Sequence, residues 1–389
     1  MTLTLLMLRK VNMEPFKNNI SPELVVCIAG HLEKHMEQFD RAIFESGILE
    51  KLETLELKSR AQLIADHIHL ALPGDHSVRN EIIRAMLHPT EDIAGGQESD
   101  EEGICGWGMM PLGIVVGQYG VEAFEESLLL LKEMTKRFSS EFDVRYFLIV
   151  DQERALKIMQ NWLTDPNHRV RRLVSEGTRP RLPWAMQLPK LVADPSPTLP
   201  LLEALRDDEH EYVRRSVANH LNDIAKDHPD MVANLAKKWM VNADGNRKKL
   251  VRHACRSLIK QGHTGALEAI GIFPPNIKLK TMVVETPNVI FGNTLVFSAE
   301  IQSACKTAQD LIIDYVVHFV KANSKRSGKV FKWKKVTLEA GETLSLKKSH
   351  AIRPITTRRY YKGSHAVSLR VNGKDFGFAE FILSMEGEE

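Results

Sequence analysis

The segment Val170-Arg171-Arg172-Leu173-Val174-Ser175-Glu176 concentrates guanidiniums and a carboxylate in seven residues. At 100° per residue, Val170, Leu173 and Val174 point to one side of a helix. Arg169, Arg172 and Glu176 gather on the other, with Arg172 and Glu176 one turn apart. A second segment, Val213-Arg214-Arg215-Ser216-Val217-Ala218-Asn219, repeats the pattern. There Val213, Val217, Leu221 and Ile224 form the apolar side, and Arg215, Asn219 and Asp223 share a polar face. One polar stripe carrying both charge signs therefore crosses neighbouring helices. After Glu176 the chain continues Gly177-Thr178-Arg179-Pro180-Arg181-Leu182-Pro183-Trp184. Gly177 ends the helix, and two prolines stiffen a loop that carries Arg179, Arg181 and Trp184. A stiff cationic loop with an aromatic ring suits phosphates and sugars. The plainer alternatives are an ion-paired solvent face and a Trp packed at a repeat junction.

Other constellations carry less. His31 and His35 are four residues apart but lack the intervening Glu of a zincin, and no metal site is expected. Neither Gly113–Gly120 nor Gly106-Trp107-Gly108 forms a phosphate loop or a dinucleotide fingerprint. Cys27, Cys105, Cys255 and Cys305 lie far apart with no CxxC, which disfavours zinc knuckles and a disulfide scaffold and fits a reducing cytoplasm. No Ser-His-Asp or nucleophilic Cys arrangement stands out.

The elements that position these residues change character once along 389 residues. Apolar residues three and four apart predict helices over 22–38, 57–72, 76–87, 121–138 and 152–163. The Val-Arg-rich segments at Val170, Val213 and Val251 recur at spacings near 40 residues, the period of HEAT-type solenoids. Residues 88–108, with Gly95-Gly96 and a run of acidic residues, read as a surface loop. After Phe273-Pro274-Pro275 the period becomes two, and about seven short strands predict an immunoglobulin-like β-sandwich, with turns at Ala340-Gly341 and Asn372-Gly373. The expected organisation is a loose tail over 1–12, a HEAT-like α-solenoid over 13–272 and an all-β sandwich over 273–389. No apolar run is long enough to cross a membrane as a helix. With 43% hydrophobic and 26% charged residues, wholesale disorder is excluded.

Net charge is +2, but residues 275–389 carry 18 Lys and Arg against 11 Asp and Glu. A basic sandwich behind a mildly acidic body points to a polyanion. Lys325 and Arg326, in a hairpin connection over 321–329, and Arg358-Arg359-Tyr360-Tyr361-Lys362, an exposed strip, are the candidate backbone contacts. The alternative is the charge with which sheet edges avoid pairing.

Residues 170–184 resemble the signature of the AlkC-type DNA alkylation repair glycosylases. Ser216-Val217-Ala218-Asn219-His220-Leu221-Asn222-Asp223 and the residues on to Pro229 resemble that family's next repeat, and Glu141-Phe142-Asp143-Val144-Arg145 its preceding helix start. One branch of the family carries an immunoglobulin-like domain. The resemblance implies a metal-free, cofactor-free monofunctional glycosylase, a monomer acting on double-stranded DNA in a bacterial cytoplasm, at the nucleoid. The expected lesions are N3-methyladenine and N3-methylcytosine, removed without flipping the base. It implies Glu141, Glu176, Asp223 and Trp184 as the active-site set. Glu176 stabilises the sugar cation, and Glu141 or Asp223 orients water. Arg169, Arg172, Arg179, Arg181 and Arg215 then hold phosphates. Glu141 also reads as a simple helix-start carboxylate, and Asp223 as an ion-pair partner of Arg214 or Arg215. The rival reading of the whole chain is a non-enzymatic HEAT-repeat scaffold for DNA or protein.

Overall fold

Short polar side chains start the helices where apolar periodicity begins. Ser21, Asp40, Asp75 and Asp151 each accept a backbone N–H from three residues downstream. The computed structural model describes residues 15–91, 98–356 and 358–385. The expected tail over 1–12 and Gly95-Gly96 lie outside them. Among the described residues are sixteen α-helices. The first twelve are α1 (Pro22–His35), α2 (Arg41–Leu52), α3 (Leu57–Ala71), α4 (His76–Ala85), α5 (Met109–Tyr119), α6 (Phe124–Met134), α7 (Val144–Val150), α8 (Gln152–Gln160), α9 (His168–Gly177), α10 (Pro189–Ala193), α11 (Leu199–Leu205) and α12 (Glu211–Ile224). Then follow α13 (Pro229–Met240), α14 (Gly245–Ala254), α15 (Arg256–Gln261) and α16 (Thr264–Ala269). None is long and apolar enough to cross a membrane. The architecture is a HEAT-like helical portion followed by an immunoglobulin-like sandwich.

Residues up to Asp223 form one compact unit and those from Ile224 a second. In the first, Val170, Leu173, Val174, Val213 and Val217 are fully buried, as the periodicity predicts. The repeated arginines do equivalent work. Arg171 donates to the carbonyls of Asp165 and Pro166, and Arg214 to those of Asp208 and Glu209, each closing the start of its own helix. Arg171 also pairs with Asp208 at 2.6 Å, tying the two repeats together.

Asn167 caps α9, and Asp165 accepts the Asn167 amide. Two local expectations change. Gly177 ends α9 without a left-handed turn, and a Cβ there would stand 2.5 Å from Val144, so the glycine permits close helix approach. The described part of 88–108 is not all surface. His88, Ile104 and Cys105 are buried, because Leu87 and Ile104 bridge and draw the segment inward.

In the second unit the sandwich strands are β1 (Ile277–Val284), β2 (Asn288–Ile290), β3 (Thr294–Ser303), β4 (Gln309–Val320), β5 (Arg326–Leu338), β6 (Thr343–Ala351), β7 (Gly363–Val371) and β8 (Lys374–Ser384). One sheet has the order β1-β3-β6 and the other β2-β8-β7-β4-β5. All pairs are antiparallel except β2 with β8. Phe297, Tyr315, Val317, Phe381 and Leu383 fill the space between the sheets. Residues 321–325 close a β4–β5 hairpin, and Asn372-Gly373, both at positive φ, close the β7–β8 hairpin. Ala340-Gly341 instead carries the chain from one sheet to the other. The change from helix to strand falls at Pro274-Pro275. Helices α13–α16 nevertheless belong to the same compact unit as the strands. Gly262, after α15, meets Gly373 so closely that a Cβ on either would lie under 2.6 Å from the other's Cα. The Asn372 amide donates to the Phe273 carbonyl at 2.8 Å.

Candidate active site

The polar stripe of α9 and α12 is a solvent face only in part, with Arg215 exposed and the carboxylates buried. Glu176 is 5% exposed and Asp223 2%. Five charged side chains alternate in a connected line. Glu141 pairs with Arg172 at 2.7 Å. Arg172 approaches Glu176 at 3.6 Å, and Arg179 meets the same Glu176 oxygen, Oε1, at 2.5 Å. Arg179 Nε then reaches Asp223 at 2.8 Å. The other Glu176 oxygen accepts from the Ser216 hydroxyl at 2.5 Å. At the far end, Ser139 Oγ donates to Glu141 at 2.7 Å and accepts from Arg172 at 2.9 Å.

Burial opposes the charge on Arg172 and Arg179, but the flanking carboxylates outweigh it and hold both guanidiniums above their ordinary range. The line holds three carboxylates to two guanidiniums, one negative charge in excess. Arg145 is fully buried and bonds only main-chain carbonyls. Burial and the Arg179 charge lower its pKa to about 10. His220, against the Ser175 carbonyl, is pushed by burial to about 4 and is neutral.

This line opens on a cleft of about 1770 Å³ whose lining includes Glu141, Arg172, Glu176, Arg179 and Trp184. Asp223 lies outside that lining, in contact with Arg179. Trp184 is 69% exposed, which sets aside packing at a repeat junction, and its φ is +68°. Arg169 lines the cleft; Arg181 and Arg215 do not. Arg215 is exposed and pairs with Glu211. Arg172 and Arg179, expected as phosphate cations, sit among carboxylates in this structure. Both are spent on carboxylates, and Arg172 also stacks 4.5 Å from the Tyr212 ring centroid. Asp143, beside Glu141, is 7% exposed, lines the cleft and fits only because Gly113 lacks a Cβ. Burial, then the Glu141 charge, raises its carboxyl to about 8.

Sequence reasoning missed Ser139, Arg145, Tyr212 and Ser216. Ser216 left a signal: it occupies the repeat position at which α9 has the core residue Leu173. Arg145 left none, because its partners are carbonyls.

On the sandwich, Lys325 and Arg359 are exposed. Arg326 is paired with Glu380 at 2.7 Å. The strip over 358–362 is not exposed throughout, because Tyr360 is buried and Arg358 lies 4.0 Å over the Phe319 ring. Arg358, Lys348 and Lys329 surround His350, which burial and then these cations hold at about 4.

Residues 142–258 match the DNA alkylation repair enzyme family, and residues 278–385 match the C-terminal Ig-like domain of the uncharacterised protein YhaZ. The chain is 34% identical over 364 residues to uncharacterized protein YhaZ of Bacillus subtilis (strain 168), covering 93% of this chain and 97% of that one. It superposes with a TM-score of 0.80 on Pseudomonas fluorescens alkylpurine DNA glycosylase AlkC, solved bound to DNA containing an abasic site analog. That match has 33% identity and covers 95% of this chain and all of that one. The chain belongs to the AlkC-type DNA alkylation repair family. Within the chain, the alkylation repair match runs from α7 through α14 and takes in Glu176, Trp184 and Asp223. Glu141 stands one residue before it.

Proposed function

We propose that this member of the family is a monofunctional DNA glycosylase. It excises N3-alkylated bases, 3-methyladenine and 3-methylcytosine, from double-stranded DNA by hydrolysing the N-glycosidic bond, acting as a monomer and leaving the base unflipped. The observation that carries the reading is the buried line of alternating charges with one carboxylate in excess, opening on the cleft. A base alkylated at N3 is a cation, and when the C1′–N bond breaks it takes the bonding pair and departs neutral, so it needs no general acid. The positive charge moves to the sugar as an oxocarbenium-like centre. Glu176, fixed by Arg179, Arg172 and Ser216, stabilises that charge without reorganising. The exposed Trp184 ring offers a second cation-stabilising surface. Water, oriented by Glu141, then forms the new bond at C1′ and releases its proton to bulk solvent; Asp223 holds Arg179 in place.

Arg169 at the cleft, Arg181 and Arg215 outside it, and Lys325, Arg358 and Arg359 on the sandwich supply phosphate contacts. Adenine N3 lies on the minor-groove edge. A non-enzymatic scaffold is disfavoured, because buried carboxylates at a polyanion-facing cleft weaken binding and serve only chemistry.

The test is incubation of the purified protein with methylated duplex DNA, with free bases identified by mass spectrometry. Release of 3-methyladenine and 3-methylcytosine is expected. Salt-sensitive DNA binding without any free base would replace the reading with the scaffold.

A further inference from the structure

Trp184 holds a left-handed backbone conformation, φ +68°, and the residue is 69% exposed. A bulky residue does not adopt that conformation unless surrounding contacts impose it, and such strain concentrates where function needs a fixed geometry. The contacts are identifiable. Arg145 anchors the base of the loop by donating to the carbonyls of Gly177, Arg179 and Met186 at 2.9, 2.8 and 2.7 Å. The Leu188 amide closes the loop on the Pro180 carbonyl, and the Ala185 amide on that of Leu182. These bonds fix the stem. At the tip, the carbonyl of Trp184 itself is held by Lys58 Nζ, from the first turn of α3, 126 residues away in sequence. Lys58 and Trp184 both line the cleft.

We propose that Lys58 is a positioning residue for the reaction, a latch from α3 that fixes the Trp184 indole in the cleft that Glu176 also lines, rather than a phosphate contact. The proposal rests on the role given above to Trp184. Lys58 is exposed, so replacing it leaves the core intact. Its Nζ donates to a main-chain carbonyl, with no carboxylate partner among the described residues. A lysine whose main task was to grip DNA would not be placed to hold the one strained carbonyl in the loop. The latch also separates two functions in one cleft wall. Arg145 sets the loop's path, whereas Lys58 sets the direction of its aromatic tip.

The test uses the full chain as Lys58→Met, Lys58→Arg, Trp184→Ala and the double variant Lys58→Met/Trp184→Ala. Single-turnover excision is followed at saturating enzyme, beside DNA binding over a range of salt. Lys58→Met is expected to lower the rate constant roughly tenfold, the scale of a small misplacement of a reacting-site group. The slope of affinity against salt should stay unchanged, Lys58→Arg should restore most of the rate, and the double variant should match Trp184→Ala alone. The proposal is overturned if Lys58→Met slows the Trp184→Ala protein by the same factor as the natural one. It is equally overturned if Lys58→Met keeps the rate and only reduces the salt slope by about one ion, the signature of a lost phosphate contact. A Trp184→Ala protein with the natural rate overturns it together with the role of the indole. A readout independent of activity is ¹⁹F NMR of protein labelled with 5-fluorotryptophan. Among five tryptophan signals, that of Trp184 should shift in Lys58→Met while the other four hold. An unmoved Trp184 signal overturns the latch even in a protein that releases no base.

Discussion

Replacing Glu176 with Gln is the sharpest perturbation of the proposed chemistry, because the structure limits what else it changes. Gln keeps one oxygen to accept from Arg179 and Arg172 in place of Oε1. Its amide nitrogen takes the place of Oε2, and the Ser216 hydroxyl can rotate to accept from it. Arg172 keeps Glu141 at 2.7 Å and Arg179 keeps Asp223 at 2.8 Å, so neither guanidinium is stranded. The stability cost should therefore be about 1–2 kcal/mol, the scale of one charge-assisted hydrogen bond made neutral. That is well short of the ~3–5 kcal/mol of a buried charge left without any partner. The rate should respond far more. Losing one preorganised charge at the developing sugar cation costs about 10²–10³ in the rate constant, or about 3–4 kcal/mol of barrier. DNA affinity should hold or rise, since a negative charge leaves the cleft. Thermal denaturation, a binding titration and single-turnover release of 3-methyladenine at saturating enzyme measure the three quantities separately. A folded Gln variant with a near-natural rate constant would refute the electrostatic role of Glu176 and pass it to Glu141 or Asp223.

Two further outcomes follow from particular groups. Asp143 binds its proton more tightly folded than unfolded, about 8 against 3.8. The stability it contributes is thus complete below pH ~4 and is lost as pH rises through about 8. Asp143→Asn should gain on the natural protein over that window by at most about 1.4 kcal/mol per pH unit, and parallel denaturation curves at pH 5 and pH 8 would contradict the burial argument. On the sandwich, Lys325→Glu and Arg359→Glu should each weaken DNA binding across sequences and lower the salt slope by about one or more. Arg326→Ala should do less, because Glu380 already neutralises it; salt-dependent titrations of the three variants decide whether this face meets DNA.

The fold was readable wherever periodicity was strong. Val170, Leu173, Val213 and Val217 declared a core face, and the period near 40 residues declared repeats. α5 was missed because Met109-Met110-Pro111-Leu112-Gly113-Ile114 is apolar on every side and shows no period. β6 is hard to read because Lys347 and Lys348 interrupt its alternation, and β2 is only three residues long. The three carboxylates that the sequence singles out share one line of ion pairs, but the environment of their arginine partners is not legible in it. Arg172 and Arg179 look like surface cations until helix packing places three carboxylates around them. Helical spacing shows that Arg172 and Glu176 share a face; it does not show that the face is buried. The part of the site held by main-chain carbonyls, Arg145 and Lys58, has no side-chain pattern to read, since any residue can supply a carbonyl.

The meeting of Gly262 with Gly373 bears on how such a protein can be inherited. Each residue is at positive φ, and each leaves room only for the other's backbone. A change at either position cannot be compensated at its partner, which has no side chain left to give up. The two glycines therefore evolve as a single character, and they bind the history of the β7–β8 hairpin to that of α15. A recombination event at Pro274-Pro275 would look clean in sequence yet separate the pair. Transfer of the sandwich to another helical scaffold is expected to succeed only when the segment from about α13 travels with it.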